Sequence, residues 1–281
     1  MKVIKLKHQS YCQGVTCALS QLNRALNDDK VQKPIYIVGH IIHNSFVTKY
    51  YQDNGVINIT SNFKGNILGV KKGTFLISAH GIDLNIYKYI IESGLPYIDT
   101  TCVFVKEVHN KVKEKIKEGY TIIYIGNEGH PETEGVLSLD KRILLSTYQS
   151  PVPKTDNELI YVANQTTLSL LDIKEIVEKL RNTYPGLIFD NDICLESTKR
   201  QTAIMEQDGV DLCFVVGDKM SSNTNRLVEV AKKAGINTIL IQSVDDIEDE
   251  MLKNIGVVSI ASGASTPKKI IEEVITFLEN Y

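Results

Sequence analysis

The sequence predicts an α/β fold of three small units with mainly parallel sheets, set in a pseudo-threefold trefoil around one central site. Three observations carry this expectation. Apolar, β-rich runs alternate with amphipathic stretches along the whole chain, the pattern of parallel sheet wound with helices. Cys12, Cys102 and Cys194 recur at intervals of 90 and 92 residues, each where an apolar segment ends and a helix-like pattern begins. After each cysteine come a strand, a glycine and, four residues on, a polar side chain: Gly39 and His43, Gly126 and His130, Gly217 and Ser221.

Taken in order, the expected strands are 35–38, 74–78, 97–100, 121–125, 159–163, 187–190, 212–216, 238–241 and 257–261. The expected helices are 15–26, 104–118, 170–182, 225–234 and 267–279, the last opened by Thr266 as cap and Pro267 at the first helical position. In each unit a later strand ends in a second polar cluster: ISAHG (77–81), VANQTT (162–167) and SIASGAS (259–265). The units are bounded as 14–101, 102–191 and 192–281, with an N-terminal strand inside 1–13 joining the third. No linker interrupts them; the longest polar stretch without clear structure is 150–158.

Composition narrows the function. Hydrophobic residues make up 43% and charged residues 23% of 281, as in ordinary globular enzymes. A formal charge of −3 gives no nucleic-acid footprint. No apolar run approaches the ~18 residues that would span a bilayer. The start, MKVIKLKHQSYC, lacks the apolar core of a signal peptide, so a cytoplasmic protein is expected. Five cysteines without a CxxC pair argue against disulfides, a zinc ribbon or a thioredoxin motif, and raise metal or redox chemistry.

Open parallel sheets bind ligands beyond the carboxyl ends of their strands. Three sheets about a pseudo-threefold axis would aim those ends at one point, where Cys12, Cys102 and Cys194 meet. Three thiolates could complete a zinc site with His or water, or hold an iron–sulfur cluster with one iron left open. His43, His80, His130, Thr166, Ser221, Ser222, Asn223 and Ser265 would line the cavity above them. With only five Arg in the chain, such a ring of neutral donors suits a phosphate or diphosphate. Glu132 is the carboxylate nearest the focus and the expected general acid, with Glu134 its competitor. Cys213 reads as a core thiol, Cys17 as a residue of the first helix with a ligand role open, and His8 and His109 as surface or helix residues.

With those residues placed, the chain resembles the LytB/IspH family of 4-hydroxy-3-methylbut-2-enyl diphosphate reductases over nearly its whole length. The resemblance rests on IIHN (41–44), SAHG (78–81), DTTC (99–102), GHPETEG (129–135), NQTTLS (164–169), DIC (192–194) with TKRQ (198–201), SSNTNRL (221–227) and SGAS (262–265). It implies a [4Fe–4S] cluster on Cys12, Cys102 and Cys194. The diphosphate would then sit on His43, His80, His130, Ser221, Ser222, Asn223 and Ser265. Glu132 would deliver protons, and Thr166 would position the substrate hydroxyl. The implied reaction removes that hydroxyl to give isopentenyl and dimethylallyl diphosphate, with electrons from ferredoxin or flavodoxin. The alternatives are a divergent relative acting on another phosphorylated substrate, a metal-dependent hydrolase at the three cysteines, and a cluster-bearing sensor without turnover.

Several positions depart from the family's pattern. Gln9-Ser10-Tyr11 stands where an Arg, a Gly and an aromatic residue usually precede the first cysteine, and Gln13 stands for Ala. Val103 replaces a usual Pro, and Lys199 an expected Asn.

Overall fold

A computed structural model describes residues 1–281. In chain order the elements are β1 (Lys2–Lys5), α1 (Gln13–Asn27), β2 (Ile35–Val38), α2 (Ser45–Asp53), β3 (Ile57–Ile59), α3 (Phe63–Gly69), β4 (Thr74–Ile77), α4 (Leu84–Glu92) and β5 (Tyr97–Asp99). There follow α5 (Val103–Lys117), β6 (Thr121–Ile125), α6 (Pro131–Leu137), β7 (Leu144–Ser146), β8 (Ile160–Asn164), α7 (Leu170–Thr183) and β9 (Ile188–Phe189). The last third holds α8 (Leu195–Met205), β10 (Leu212–Val216), α9 (Ser222–Lys233), β11 (Thr238–Ile241), β12 (Val257–Ser262) and α10 (Lys268–Asn280).

The strands form three four-stranded sheets ordered β3-β2-β4-β5, β7-β6-β8-β9 and β11-β10-β12-β1. Every pairing is parallel. Within each sheet the order is second, first, third, fourth, and the fourth strand of the third sheet is the N-terminal β1. The chain thus closes a ring, and each fourth strand leads into a cysteine and the next helix.

Burial on both faces explains why the inner strands read as unbroken apolar runs. In β2 and β4, Ile35, Ile37 and Leu76 pack under α1 with Val15, Ala18, Leu19 and Leu22. The alternate residues Val38, Phe75 and Ile77 face Ile67 of α3 and Ile90 of α4. The second and third sheets are covered on both sides in the same way. No helix is long and apolar enough to cross a membrane.

Several short elements were not expected from sequence: β3, β7, α2, α3, α4, α6 and α8. β3 and β7 are edge strands of three residues each, too short for an apolar run to register. α3 and α6 carry glycines, and α8 is largely polar. One expected boundary is corrected. Pro267 is itself the cap of α10, while the Thr266 hydroxyl donates to the Val216 carbonyl at 2.9 Å.

Candidate active site

The loops that leave the first, third and fourth strands of every sheet converge on one cavity enclosing about 690 Å³, its open mouth included. First-strand loops bring His43, His130, Ser221, Ser222 and Asn223; third-strand loops bring His80, Thr166 and Ser265; fourth-strand loops bring Cys12, Cys102 and Cys194. Glu132 joins them from α6. All twelve side chains singled out from the sequence therefore line one space.

The thiol floor follows the threefold closely. Cys12, Cys102 and Cys194 are the caps of α1, α5 and α8. Each cysteine N–H donates to the loop after the third strand: Cys12 to the Ala264 carbonyl (3.1 Å), Cys102 to Ala79 (2.9 Å) and Cys194 to Thr166 (3.0 Å). The first turn of the helix then offers N–H groups to sulfur, Val15 to Cys12 at 3.5 Å and Ser197 to Cys194 at 3.4 Å. Such donors favour anionic sulfur. Burial works against them and pushes the Cys102 and Cys194 thiols up. Gly14 keeps the floor open, because a Cβ there would stand 2.8 Å from the Cys102 sulfur and 3.9 Å from that of Cys12. No three His, Cys, Asp or Glu side chains are gathered tightly enough for a single metal ion.

Behind this floor lies Arg200, 3% exposed, which the sequence reading passed over. Its guanidinium donates to the carbonyls of Ser262 (3.2 Å) and Ser10 (2.8 Å), tying the Cys12 loop to β12. The departures from the family pattern fall into this frame. The Gln9 amide donates to the Ile260 carbonyl at 2.7 Å, and the Ser10 N–H to the Ser262 hydroxyl at 2.8 Å. Gln13 and Val103 are exposed, and Lys199 pairs with Glu196 at 3.4 Å.

The polar roof is built from imidazoles and hydroxyls. The His43 ring lies 4.3 Å from that of His80 and 5.8 Å from that of His130, centroid to centroid. Both ring nitrogens of His43 are buried with no hydrogen-bond partner, so the site holds donor capacity that the protein itself leaves unused. His130 caps α6, its Nδ1 accepting from the Glu132 N–H at 3.2 Å, which leaves the other nitrogen as the proton-bearing one. Burial holds His43 down to about 4 and His130 to about 3, and His80 well below the usual imidazole range. An arriving anion would reverse that balance. On the third unit, the Ser265 hydroxyl donates to the His43 carbonyl at 3.0 Å, and Asn223 accepts from the Ala264 N–H at 2.9 Å.

Glu132 is 3% exposed and accepts from both the N–H and the hydroxyl of Thr166, each at 2.9 Å to Oε2. Burial raises its carboxyl to about 7, the Thr166 bonds opposing the rise. An acid poised there can hold a proton at neutral pH and release it. Glu134 instead accepts from the Gly129 N–H and borders a neighbouring cleft.

Two further residues went unread in the sequence, Thr167 lining the cavity and Gln165 behind its wall. Thr167, not Thr166, stands three residues past its strand as His80 and Ser265 do, and its hydroxyl lies 3.3 Å from that of Ser222. Gln165, fully buried, accepts from the Asn127 N–H and the Thr133 hydroxyl and donates to Thr167 and Ser222. The NQTT run signalled both. Of the residues set aside, Cys213 is core, Cys17 is exposed on α1 away from the cavity, and His8 is exposed. His109 lies in α5 but is no surface residue: its ring packs on Gly135 with Nε2 buried and unpartnered.

Comparison with known proteins agrees with this architecture. The LytB protein family matches residues 3–279. 4-Hydroxy-3-methylbut-2-enyl diphosphate reductases of Geobacillus thermodenitrificans and Bacillus subtilis are each 38% identical over 287 aligned residues, covering 100% of this chain and 91% of theirs. The E-1-hydroxy-2-methyl-but-2-enyl-4-diphosphate reductase of Plasmodium falciparum superposes with a TM-score of 0.91 at 31% identity, over 99% of this chain and 88% of that one. A second solved reductase, described as the terminal enzyme of the non-mevalonate pathway, is covered in full at 28% identity with a TM-score of 0.68. By sequence and by fold, this chain belongs to the LytB family.

Proposed function

We propose that the protein is a 4-hydroxy-3-methylbut-2-enyl diphosphate reductase, converting that allylic alcohol diphosphate to isopentenyl and dimethylallyl diphosphate. The observation that carries this reading is the single cavity in which three cysteines at helix caps face a roof of imidazoles and hydroxyls, the His43 ring with both nitrogens unpartnered, with one buried acid between.

Cys12, Cys102 and Cys194 would hold a [4Fe–4S] cluster. Three ligands leave one iron open, and the bound cluster would supply the two electrons together with that Lewis-acidic position. The protein does the rest. His43, His80, His130, Ser221, Ser222, Asn223 and Ser265 receive the diphosphate, His130 through its free N–H and His43 through nitrogens otherwise idle. Thr166 orients the substrate hydroxyl, and Glu132, hydrogen-bonded to it, delivers two protons in turn, one that leaves with that hydroxyl as water and, after the carboxylate is reprotonated, one to the reduced allylic carbon. Enclosure of the site keeps bulk water from the reduced allylic fragment. Electrons arrive from a ferredoxin or flavodoxin.

Anaerobic purification and assay test the reading. A brown protein with about four iron and four sulfide per chain, reducing the allylic alcohol diphosphate with a chemical reductant, is expected. A colourless zinc protein that hydrolyses phosphoesters would overturn it.

A further inference from the structure

We infer that Asp218 is a positioning residue that latches the first and third units together and holds the two halves of the diphosphate cradle in register. The inference rests on the cradle proposed above. It starts from a feature which a phosphate site should avoid, a buried carboxylate within three residues of the proposed anion ligand Ser221. Asp218 is 3% exposed and follows Gly217 at the end of β10, three residues before Ser221.

Its two oxygens are both used. Oδ2 accepts from the Ser45 N–H at 2.7 Å, across 173 residues of sequence, and Oδ1 accepts from the Met220 N–H at 2.8 Å. The Asp218 carbonyl also accepts from the Ser221 N–H at 3.0 Å. One side chain therefore shapes the loop that presents Ser221 and grips the first residue of α2, two past His43. The Ser265 hydroxyl closes the same seam on the His43 carbonyl. Ser45 N–H is one of the helix-terminal donors that have no partner within their own helix, so its acceptor must come from elsewhere. Here it comes from the unit carrying the opposite wall of the cradle. The nearby carboxylate also favours a proton on His43, against the burial that removes it.

Two variants probe the latch from its two ends. Asp218→Asn keeps the shape but turns one acceptor into a donor facing an N–H. Ser45→Pro removes the other end of the latch, the N–H together with the hydroxyl that also bonds the Asp218 carboxylate; proline is favoured at a first helical position, and Asn44 already has the extended backbone that proline requires of its neighbour. Each single variant should weaken binding of inorganic diphosphate, measured by calorimetry, about tenfold, and the double variant should be no weaker than either single one. In turnover KM should rise by a similar factor while kcat stays within about twofold and the cluster spectrum is unchanged. Asp172→Asn, on the seam between the second and third units, should lower the melting temperature without changing diphosphate affinity. If Asp218→Asn binds diphosphate as well as or better than wild type, the latch is wrong, because charge repulsion or nothing then dominates. Single effects that multiply in the double variant would also overturn it. A wild-type protein that binds no diphosphate would instead sink the cradle reading, and the latch with it.

Discussion

The floor and the roof of the cavity treat the same pseudo-symmetry in opposite ways. On the floor, three units supply the same residue in the same place: a cysteine capping a helix, its N–H bonded to the loop after the third strand. On the roof the equivalent places hold different chemistry. The residue four past each first-strand glycine is His43, His130 or Ser221, and three past each third strand stands His80, Thr167 or Ser265. Even the backbone diverges. His130 and Ser221 cap their helices, whereas in the first unit Asn44 caps and His43 precedes it, after Gly39 with φ +83°. On the proposed function the difference has a reason: a symmetric inorganic cluster would be served by repeated ligands, whereas an asymmetric organic substrate would need each repeat altered.

The largest effect should come from the acid, the roof's most asymmetric group. Glu132→Gln should lower kcat by at least about 100-fold, with cluster spectrum and substrate affinity unchanged. Wild-type kcat should fall as pH rises through about 7, where Glu132 loses its proton. The same burial predicts a gain in stability. A carboxyl held near 7 when folded but near 4.5 when unfolded binds its proton more tightly in the native state, so its unfavourable contribution is absent at low pH and grows between those values as pH rises. Glu132→Gln should therefore be more stable than wild type by up to about 3 kcal/mol at pH 8 and by little at pH 4.5, in anaerobic urea unfolding. An active variant, or one destabilised at pH 8, would remove Glu132 from its assigned role.

The floor predicts a different failure. Gly14→Ala would push a methyl group to 2.8 Å from the Cys102 sulfur, so iron content on anaerobic reconstitution should fall by at least about half while the fold stays intact by circular dichroism. Full iron occupancy would show that the space beside Gly14 is not used. At the roof, His43→Ala should raise KM by about tenfold or more and alter kcat less. Its ring makes no hydrogen bond within the protein, so losing it leaves no polar group unpaired. A kcat defect with unchanged KM would place His43 in the chemistry instead of the cradle.

Repetition also decided how much the sequence disclosed. The inner strands β2, β4, β6, β8, β10 and β12 are buried on both faces, and their apolar runs announced them. The nine loops were legible because glycine, cysteine and polar residues return at near-constant spacing. Two of the hidden side chains have no counterpart in the other units. Asp218 follows its glycine where the other units have His40 and Asn127, and its partner Ser45 lies on another unit. Arg200 reads as an ordinary helix cation until the Ser10 and Ser262 carbonyls are seen against it. Thr167 was eclipsed by its neighbour, because sequence alone does not say which of two adjacent threonines keeps the register of His80 and Ser265.

The smallest expected effect sharpens the comparison at its seam with the N-terminal loop. Ser10 holds φ +65°, a left-handed conformation that glycine adopts without strain and that costs a residue with a Cβ roughly 1 kcal/mol or more. Its backbone is bound at both ends, N–H to Ser262 and carbonyl to Arg200, so the conformation is imposed by β12 and α8. The serine hydroxyl forms no hydrogen bond of its own in this arrangement. Ser10→Gly should therefore raise the unfolding free energy by about 0.5–1 kcal/mol, after the added chain entropy of glycine is subtracted, with KM and kcat unchanged. A loss of stability would mean that the Ser10 side chain contributes a contact worth more than the strain of its backbone, and the imposed loop would then be a favourable fit.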